Sequence, residues 1–254
     1  MPTELNAAWF LLPHQDDEFA AMHCIEGALS QGLKVRCFFF TQAPDQALNA
    51  MRNRESLNVL TQLGICNDNI SFVGMSLDIM DGELQDHLHP LGRWLQGEIE
   101  KSKPEKIWIP AWEGGHPDHD ALHGVMVEIA ARANMLDRIQ QFPFYNGWNC
   151  PGPWFKVMRP LAENGPIDCQ RIRWGQRWRY LLSCFKYPSQ IKSWLGLFPF
   201  VALHLVFKGV QQTQRVHRER ILQRPHPGPL YYEKRGFSTW EKTHGKLAAW
   251  LQSL

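Results

Sequence analysis

Ala8-Trp9-Phe10-Leu11-Leu12-Pro13-His14-Gln15-Asp16-Asp17-Glu18 sets an apolar run directly against a polar one, and the boundary between them decides the fold. The run Ala8 to Leu12 is too short for a buried helix and suits a strand covered on both faces. Helical spacing follows at once. Phe19, Met22, Ile25 and Leu29 recur three or four residues apart between Glu18 and Gln31, and Gly32 provides the stop. The alternation continues with a strand at Val35 to Thr41, a loop opened by Pro44-Asp45, and a helix from Leu48 to Leu63 closed by Gly64. A short strand at Ile70 to Val73 leads into a long loop, Gly74 to Leu88, and connections of that length tend to be functional. A helix at Leu91 to Lys101, a strand at Ile107 to Pro110, a helix at His119 to Ala133 and a fifth strand at Phe142 to Asn146 complete the series. Strands alternating with helices predict an α/β fold, a Rossmann-like and mostly parallel sheet with flanking helices.

The regularity stops after residue 146. Residues 147 to 170 carry Gly, Pro, Asn and Trp without a period and read as loop, which divides the chain into a core at 1–150 and an aromatic-rich C-terminal extension at 151–254 that completes the fold and the substrate cleft. A length of 254 residues suits one core with such an annex. The six cysteines are scattered without a C-x-x-C pair and read as free, mostly buried thiols of a reducing compartment. Met1 to Asn6 shows no basic start followed by an apolar run, so cytoplasmic residence is expected. A formal charge of +2 argues against nucleic acid as a partner.

Basic residues nevertheless gather at Arg171 to Arg179 and at Arg215 to Arg220, in the half of the chain that holds most of the eleven tryptophans. This composition suits either an anionic or sugar-like ligand or a solvated face over a thick core. Trp194 to Phe207 is the most apolar stretch, shorter than the ~20 residues a spanning helix needs and interrupted by Pro199 and His204. It reads as a core helix, with a lid over the site or a membrane-surface anchor flanked by Lys192 and Lys208 as alternatives.

The polar run at His14 to Glu18 has a counterpart in Gly114-Gly115-His116-Pro117-Asp118-His119-Asp120, again just past an apolar strand. Residues beyond the carboxyl ends of two adjacent parallel strands meet at the switch point of a doubly wound sheet. His14 with Asp17, and His116 with His119, stand three residues apart and share a face. Two histidines and a carboxylate are a normal catalytic zinc set, and His14, Asp17 and His119 supply it. Gly114 and Gly115 allow the backbone to turn tightly there. Asp16 is then left as a general base, His116 as a donor to an oxyanion or leaving amine if protonated, and Asp118 as the group holding the ring of His116. The expected reaction is amide hydrolysis by a metal-activated water. The rival readings are an N-cap of Asp16, Asp17 and Glu18, and a solvated His-x-x-His face. His87 and His89 lack a framing strand end and read as surface, and His123, one turn after His119, reads as a packed residue or a supporting partner.

The runs Pro13-His14-Gln15-Asp16-Asp17-Glu18 and Gly115-His116-Pro117-Asp118-His119 resemble the P/A-H-P-D-D-E and H-P-D-H signatures of the LmbE-like or PIG-L family of zinc-dependent N-acetyl-sugar deacetylases. The resemblance implies Zn²⁺ on His14, Asp17 and His119, with Asp16 as the base and His116 stabilising the transition state. It further implies a small-molecule N-acetyl-sugar or sugar-conjugate substrate. Arg52-Asn53-Arg54-Glu55 followed by Leu63-Gly64 is similar to the family's R-x-x-E and L-G pair, which makes Arg52 a substrate contact; an ion pair from Arg52 to Glu55 is the alternative. Asp81-Gly82-Glu83-Leu84 is similar to its D-G-x-L loop, and Tyr187-Pro188-Ser189-Gln190 to a Y-x-S-Q run of some members. Gln15 departs from the family's proline, which is expected to keep the ligands while loosening the loop. A function of a different kind, a metal-bearing protein that binds a ligand without catalysis or docks to a membrane, would not need Asp16.

Overall fold

The computed structural model describes residues 6–254, so Met1 to Leu5, part of the stretch read for a leader, lie outside the described residues. In chain order the elements are β1 (Ala7–Leu12), α1 (Glu18–Ser30), β2 (Lys34–Phe39), α2 (Gln46–Gln62), β3 (Ile70–Phe72), α3 (Val73–Leu77), α4 (Leu88–Ser102), β4 (Lys106–Pro110), α5 (Pro117–Arg132), β5 (Ile139–Phe142), β6 (Tyr145–Asn146), β7 (Lys156–Val157), β8 (Ile167–Arg171), α6 (Trp174–Ser183), α7 (Ile191–Leu203), β9 (Val210–Arg215), α8 (Tyr231–Lys234) and α9 (Trp240–Gln252).

The main sheet runs β3-β2-β1-β4-β5-β9-β8, with β3 through β5 parallel and β9 and β8 antiparallel. Strand β1 is completely buried, and its alternating side chains feed two cores. Ala8, Phe10 and Leu12 join the layer that includes α1, α6 and α7, whereas Ala7, Trp9 and Leu11 join that of α4, α5 and α9. Such double burial requires the unbroken apolar run that marked the strand in the sequence. The neighbours β1 and β4 pair through Ala8–Lys106, Trp9–Ile107 and Phe10–Trp108, and this register places both polar runs at one end of the sheet.

Several elements differ from the sequence reading. The fifth strand ends at Phe142, and the following Tyr145–Asn146 pairs instead with Lys156–Val157 in a small ribbon. The stretch 147–170 is not all loop, because it contains β7 and most of β8. All five residues of β8 are exposed, so Ile-Asp-Cys-Gln-Arg carries no hydrophobic period, and its partner β9 is rich in glutamine. The loop Gly74 to Leu88 contains most of α3 and a short 3₁₀ turn at Leu84–Asp86. Three cysteines, Cys24, Cys37 and Cys184, are buried, while Cys66 and Cys169 are exposed and Cys150 is half-buried; all six are free. The apolar stretch Trp194 to Phe207 is not a core helix. It belongs to a longer helical segment, Pro188–Lys208, of which only 28% of the most apolar window is buried.

Candidate metal centre and active site

The turn between β1 and α1 carries His14, Asp16 and Asp17, and the entry to α5 carries His116, Asp118 and His119. Helix α5 begins at Pro117, earlier than the spacing of its apolar residues suggests. Pro117 needs no N–H partner in the first turn, and the His116 side chain caps the helix by accepting from the Asp118 N–H. The glycines before it have different reasons. Gly114 has φ = +67°, and a Cβ on Gly115 would lie 2.2 Å from the Tyr145 carbonyl oxygen.

Across the switch point, Asp17 stands between two histidines. Its Oδ2 lies 3.2 Å from His14 Nδ1 and its Oδ1 3.2 Å from His119 Nε2. All three residues are buried, and their candidate ligand atoms lie within 4.8 Å of one another. His119 Nε2 is buried and, although Asp17 Oδ1 stands 3.2 Å away, makes no well-aligned hydrogen bond among the described residues. A buried imidazole nitrogen left this way is costly unless something else engages it. The two histidines and one carboxylate fit a borderline ion such as zinc. A second set, His14, Asp81, His116 and Asp118, lies equally close together. Asp118, however, is already committed: Oδ2 accepts from Gly82 N–H at 2.7 Å and Oδ1 from Leu84 N–H at 3.1 Å. The first set is therefore the better cation site.

Charge points the same way. Burial alone would lower the His14 pKa, but the carboxylates of Asp81, Asp17 and Asp118 outweigh it and hold the ring well above its ordinary value. Burial likewise opposes ionisation of Asp17, yet His119 and His14 pull its pKa down. The cluster thus concentrates negative charge where a cation would sit. Asp16 lies to one side, lining the cavity, and burial followed by the charges of Asp17 and Glu18 pushes its carboxyl well above the usual range. Its backbone takes φ = 103°, a left-handed conformation that costs a residue with a Cβ about 1–3 kcal/mol. The turn is fixed by the Asp16 N–H donating to Glu18 Oε2 at 2.9 Å and the Phe19 N–H donating to the Asp16 carbonyl at 3.0 Å.

Asp118 has a different role from the one its spacing suggests. Its Oδ2 lies 3.0 Å from His14 Nε2 but 3.9 Å from His116 Nδ1, so it holds the ring of His14. A carboxylate on the far nitrogen of a ligand histidine fixes its orientation and raises its basicity. His116 Nδ1 instead accepts from the Asp118 N–H at 3.3 Å. Burial, with the nearby His14, lowers the His116 pKa to about 4. A protonated His116 is thus not what this environment favours; the ring is neutral and carries its proton on Nε2.

Arg52 reaches the cavity, but its ion pair is with Asp81, Nη1 to Oδ2 at 3.1 Å, rather than with Glu55. Glu55 accepts from the Ser189 N–H at 2.9 Å and from its hydroxyl at 2.5 Å. Tyr187 donates to Glu18 Oε1 at 3.0 Å, and Gln190 Nε2 donates to the Gln15 carbonyl. The Tyr187 to Gln190 segment thus braces the β1–α1 turn from a distant part of the chain. Gln15 adds a further brace, with Nε2 donating to Asn53 Oδ1 at 2.7 Å and to the Thr41 carbonyl at 3.2 Å. Where proline would stiffen the loop covalently, Gln15 ties it by hydrogen bonds to Thr41, just past β2, and to α2.

These residues open on a cavity of about 440 Å³, also lined by Tyr145, Gln190 and Phe237. A larger one, about 670 Å³, lies between α4, α5 and α9, but no candidate ligand set among the described residues converges there. Size therefore does not locate the chemistry. Tyr145, Gln190 and Phe237 escape sequence reasoning, and only the Y-x-S-Q similarity points toward Gln190. His123 is packed rather than supporting the site, with Nδ1 2.8 Å from the Pro110 carbonyl and its ring against Trp112.

Fold and site together define a Rossmann-like α/β protein with a candidate His₂Asp cation site at the carboxyl ends of its central strands. Residues 9–130 match the PIG-L family model, described as GlcNAc-PI de-N-acetylase. Comparison with curated proteins finds no match. Among solved structures, the A40926 pseudoaglycone deacetylase Dbv21 superposes with a TM-score of 0.61 at 16% identity, over 84% of this chain and 98% of that one. The zinc-inhibited form of teicoplanin deacetylase Orf2 gives 0.59 at 14% identity, over 82% and 97%. The N,N'-diacetylchitobiose deacetylase from Pyrococcus horikoshii gives 0.53 at 17% identity, over 84% and 83%. At these identities the likeness establishes the fold.

Proposed function

We propose that this protein is a zinc-dependent hydrolase that removes acetyl from an N-acetylated sugar or sugar conjugate. The observation that carries the reading is the convergence of His14, Asp17 and His119, with Asp16 lining the same open cavity as His14 and Asp17. The family description as a de-N-acetylase, and deacetylases among the structures of like fold, support it.

His14, Asp17 and His119 would hold the zinc. When bound there, it polarises an amide carbonyl and acidifies water. Asp16 takes the proton of the attacking water as the C–O bond forms, and returns it to the nitrogen as the C–N bond breaks, releasing acetate and amine. Its raised pKa suits both directions of transfer. His116 donates its Nε2 proton to the developing oxyanion as a neutral hydrogen-bond donor, not as an acid. Asp118 keeps His14 oriented, and Arg52, held by Asp81, faces the substrate. Tyr145 and Phe237 offer aromatic faces to a sugar ring.

An amine-release screen over N-acetylated sugars, sugar nucleotides and lipid-linked sugars, with metal content measured on the same preparation, tests this reading. Release of a free amine from at least one class by protein holding about one zinc per chain is the expected result. A folded, metal-loaded protein that hydrolyses none of them would overturn it.

A further inference from the structure

Helix α7, with the helical turn His204–Lys208 that continues it, inverts the usual distribution of apolar residues. Its inner stripe, Trp194, Val201 and Leu205, is buried in the core. Its outer stripe recurs every four residues as Ile191, Leu195, Pro199, Leu203 and Phe207, and every one of these is exposed. Leu195 is 70% exposed and Phe207 78%. Neighbouring elements widen the patch. Leu182 and Phe185, at the end of α6 and just past it, are exposed, and Phe185 packs on Phe198 with ring centres 5.2 Å apart. On the other flank Trp154, also exposed, meets Phe200 at 5.8 Å. Continuous exposed apolar surface of this kind marks an interaction site.

The charge carried by this stretch of chain is one-sided, although Glu26 of α1 pairs with Arg179 on α6. No acidic residue occurs between Asp168 and Glu219, while Arg171, Arg173, Lys192 and Lys208 are exposed on and beside these elements, together with Trp174 and Trp178. An apolar helix face with basic and tryptophan residues around it is suited to the headgroup boundary of an anionic membrane.

We propose that this face seats the protein on an anionic bilayer, with α7 lying in the plane of the interface. By length and composition Pro188–Lys208 is able to cross a membrane. Its inner stripe, however, is built into the core, its start is tied to the catalytic turn through Gln190, and its end turns at Gly209 into β9. The helix therefore lies along the surface. The docked face also adjoins the catalytic mouth. Gln190, Ser193 and Leu197 line the cavity of His14 and Asp17, and Lys192, Gly196 and Leu197 line an adjoining groove of about 290 Å³.

Co-sedimentation of the full chain with vesicles tests the proposal, using phosphatidylglycerol mixed with phosphatidylcholine against phosphatidylcholine alone. The wild type is expected to pellet with the anionic vesicles and mostly remain in solution with the neutral ones. A Leu195→Glu/Leu203→Glu/Phe207→Glu variant should lose about tenfold in binding, with its circular dichroism and elution volume unchanged. If that variant does not fold, Lys192→Glu/Lys208→Glu keeps the apolar stripe and should still weaken anionic binding severalfold. A wild type that stays in the supernatant with both vesicles overturns the proposal, as does a folded triple variant that binds equally well. Wild type that elutes as a dimer, ignores vesicles and becomes monomeric in the triple variant would assign the face to a second copy instead. The readout needs no turnover, so it stands or falls independently of the deacetylase reading.

Discussion

The β1/β4 end of the sheet and the outer face of α7 break the same rule in opposite senses. At the first, His14, Asp16, Asp17, Asp118 and His119 are polar and buried; at the second, Leu195, Leu203 and Phe207 are apolar and exposed. Burying charge and exposing hydrocarbon are both costly, so neither arises from folding alone. The difference teaches where the consequences of change fall. In the polar cluster Asp17 and Asp118 each have several partners, and a substitution there is expected to disturb chemistry. On the α7 face the side chains touch little, and a substitution there should leave fold and chemistry alone while changing what the protein adheres to.

The sharpest break between the regions is expected from His119→Ala. Loss of this nitrogen should deplete bound metal, measured by elemental analysis, and lower amine release by about 10³-fold or more, since a direct contact to the ion is gone. Full metal occupancy in a folded variant would dissolve the distinction.

His123 divides the buried polar groups among themselves. It lies one turn from His119, yet burial lowers its pKa to about 4, opposed in part by its hydrogen bond to the Pro110 carbonyl. An unfolded histidine titrates near 6.5, so between the two values the unfolded chain binds more protons than the folded one. The stability from this residue is fully present above about pH 6.5 and is lost as pH falls toward 4, by up to about 3 kcal/mol. In His123→Asn, whose amide can still donate to Pro110, urea unfolding from pH 7 down to 4 should show a shallower loss, with metal content unchanged. An unaltered slope would mean that other groups set the acid limit.

Gln15→Ala probes how the catalytic turn is held. It removes the hydrogen bonds to Asn53 and the Thr41 carbonyl and should cost about 1–2 kcal/mol in denaturant unfolding. A neutral effect would mean that the turn relies on the Tyr187 to Gln190 brace alone. The smallest change is expected from Leu195→Glu, within about 0.5 kcal/mol of wild type, because the residue is 70% exposed. A large loss of stability would return α7 to the core.

The sequence made the polar cluster legible because β1 and β4 are buried on both faces, and such strands announce themselves as unbroken apolar runs. Once they are adjacent, His14 and His119 are near one another by topology. What remained hidden has a common cause. Spacing places residues on a face but does not name their partners, so Asp118 looked like a companion of its neighbour His116 rather than of His14, 104 positions away. The bracing of Glu55 by Ser189 and of Gln15 by Gln190 has the same long-range character. Strand β8 escaped because every residue in it is exposed. Helix α7 was misjudged because composition records that a segment is apolar, not which side the rest of the protein covers.

In the proposed mechanism neighbouring aspartates have separate duties: Asp17 would hold the ion and Asp16 would move the proton. Asp16→Asn, assayed for bound metal and amine release beside the wild type, tests that division most directly. The expected result is metal content equal to wild type with amine release reduced by about 10²–10⁴-fold, the range a general base contributes. Undiminished release, or loss of the metal with Asp17 intact, would contradict it.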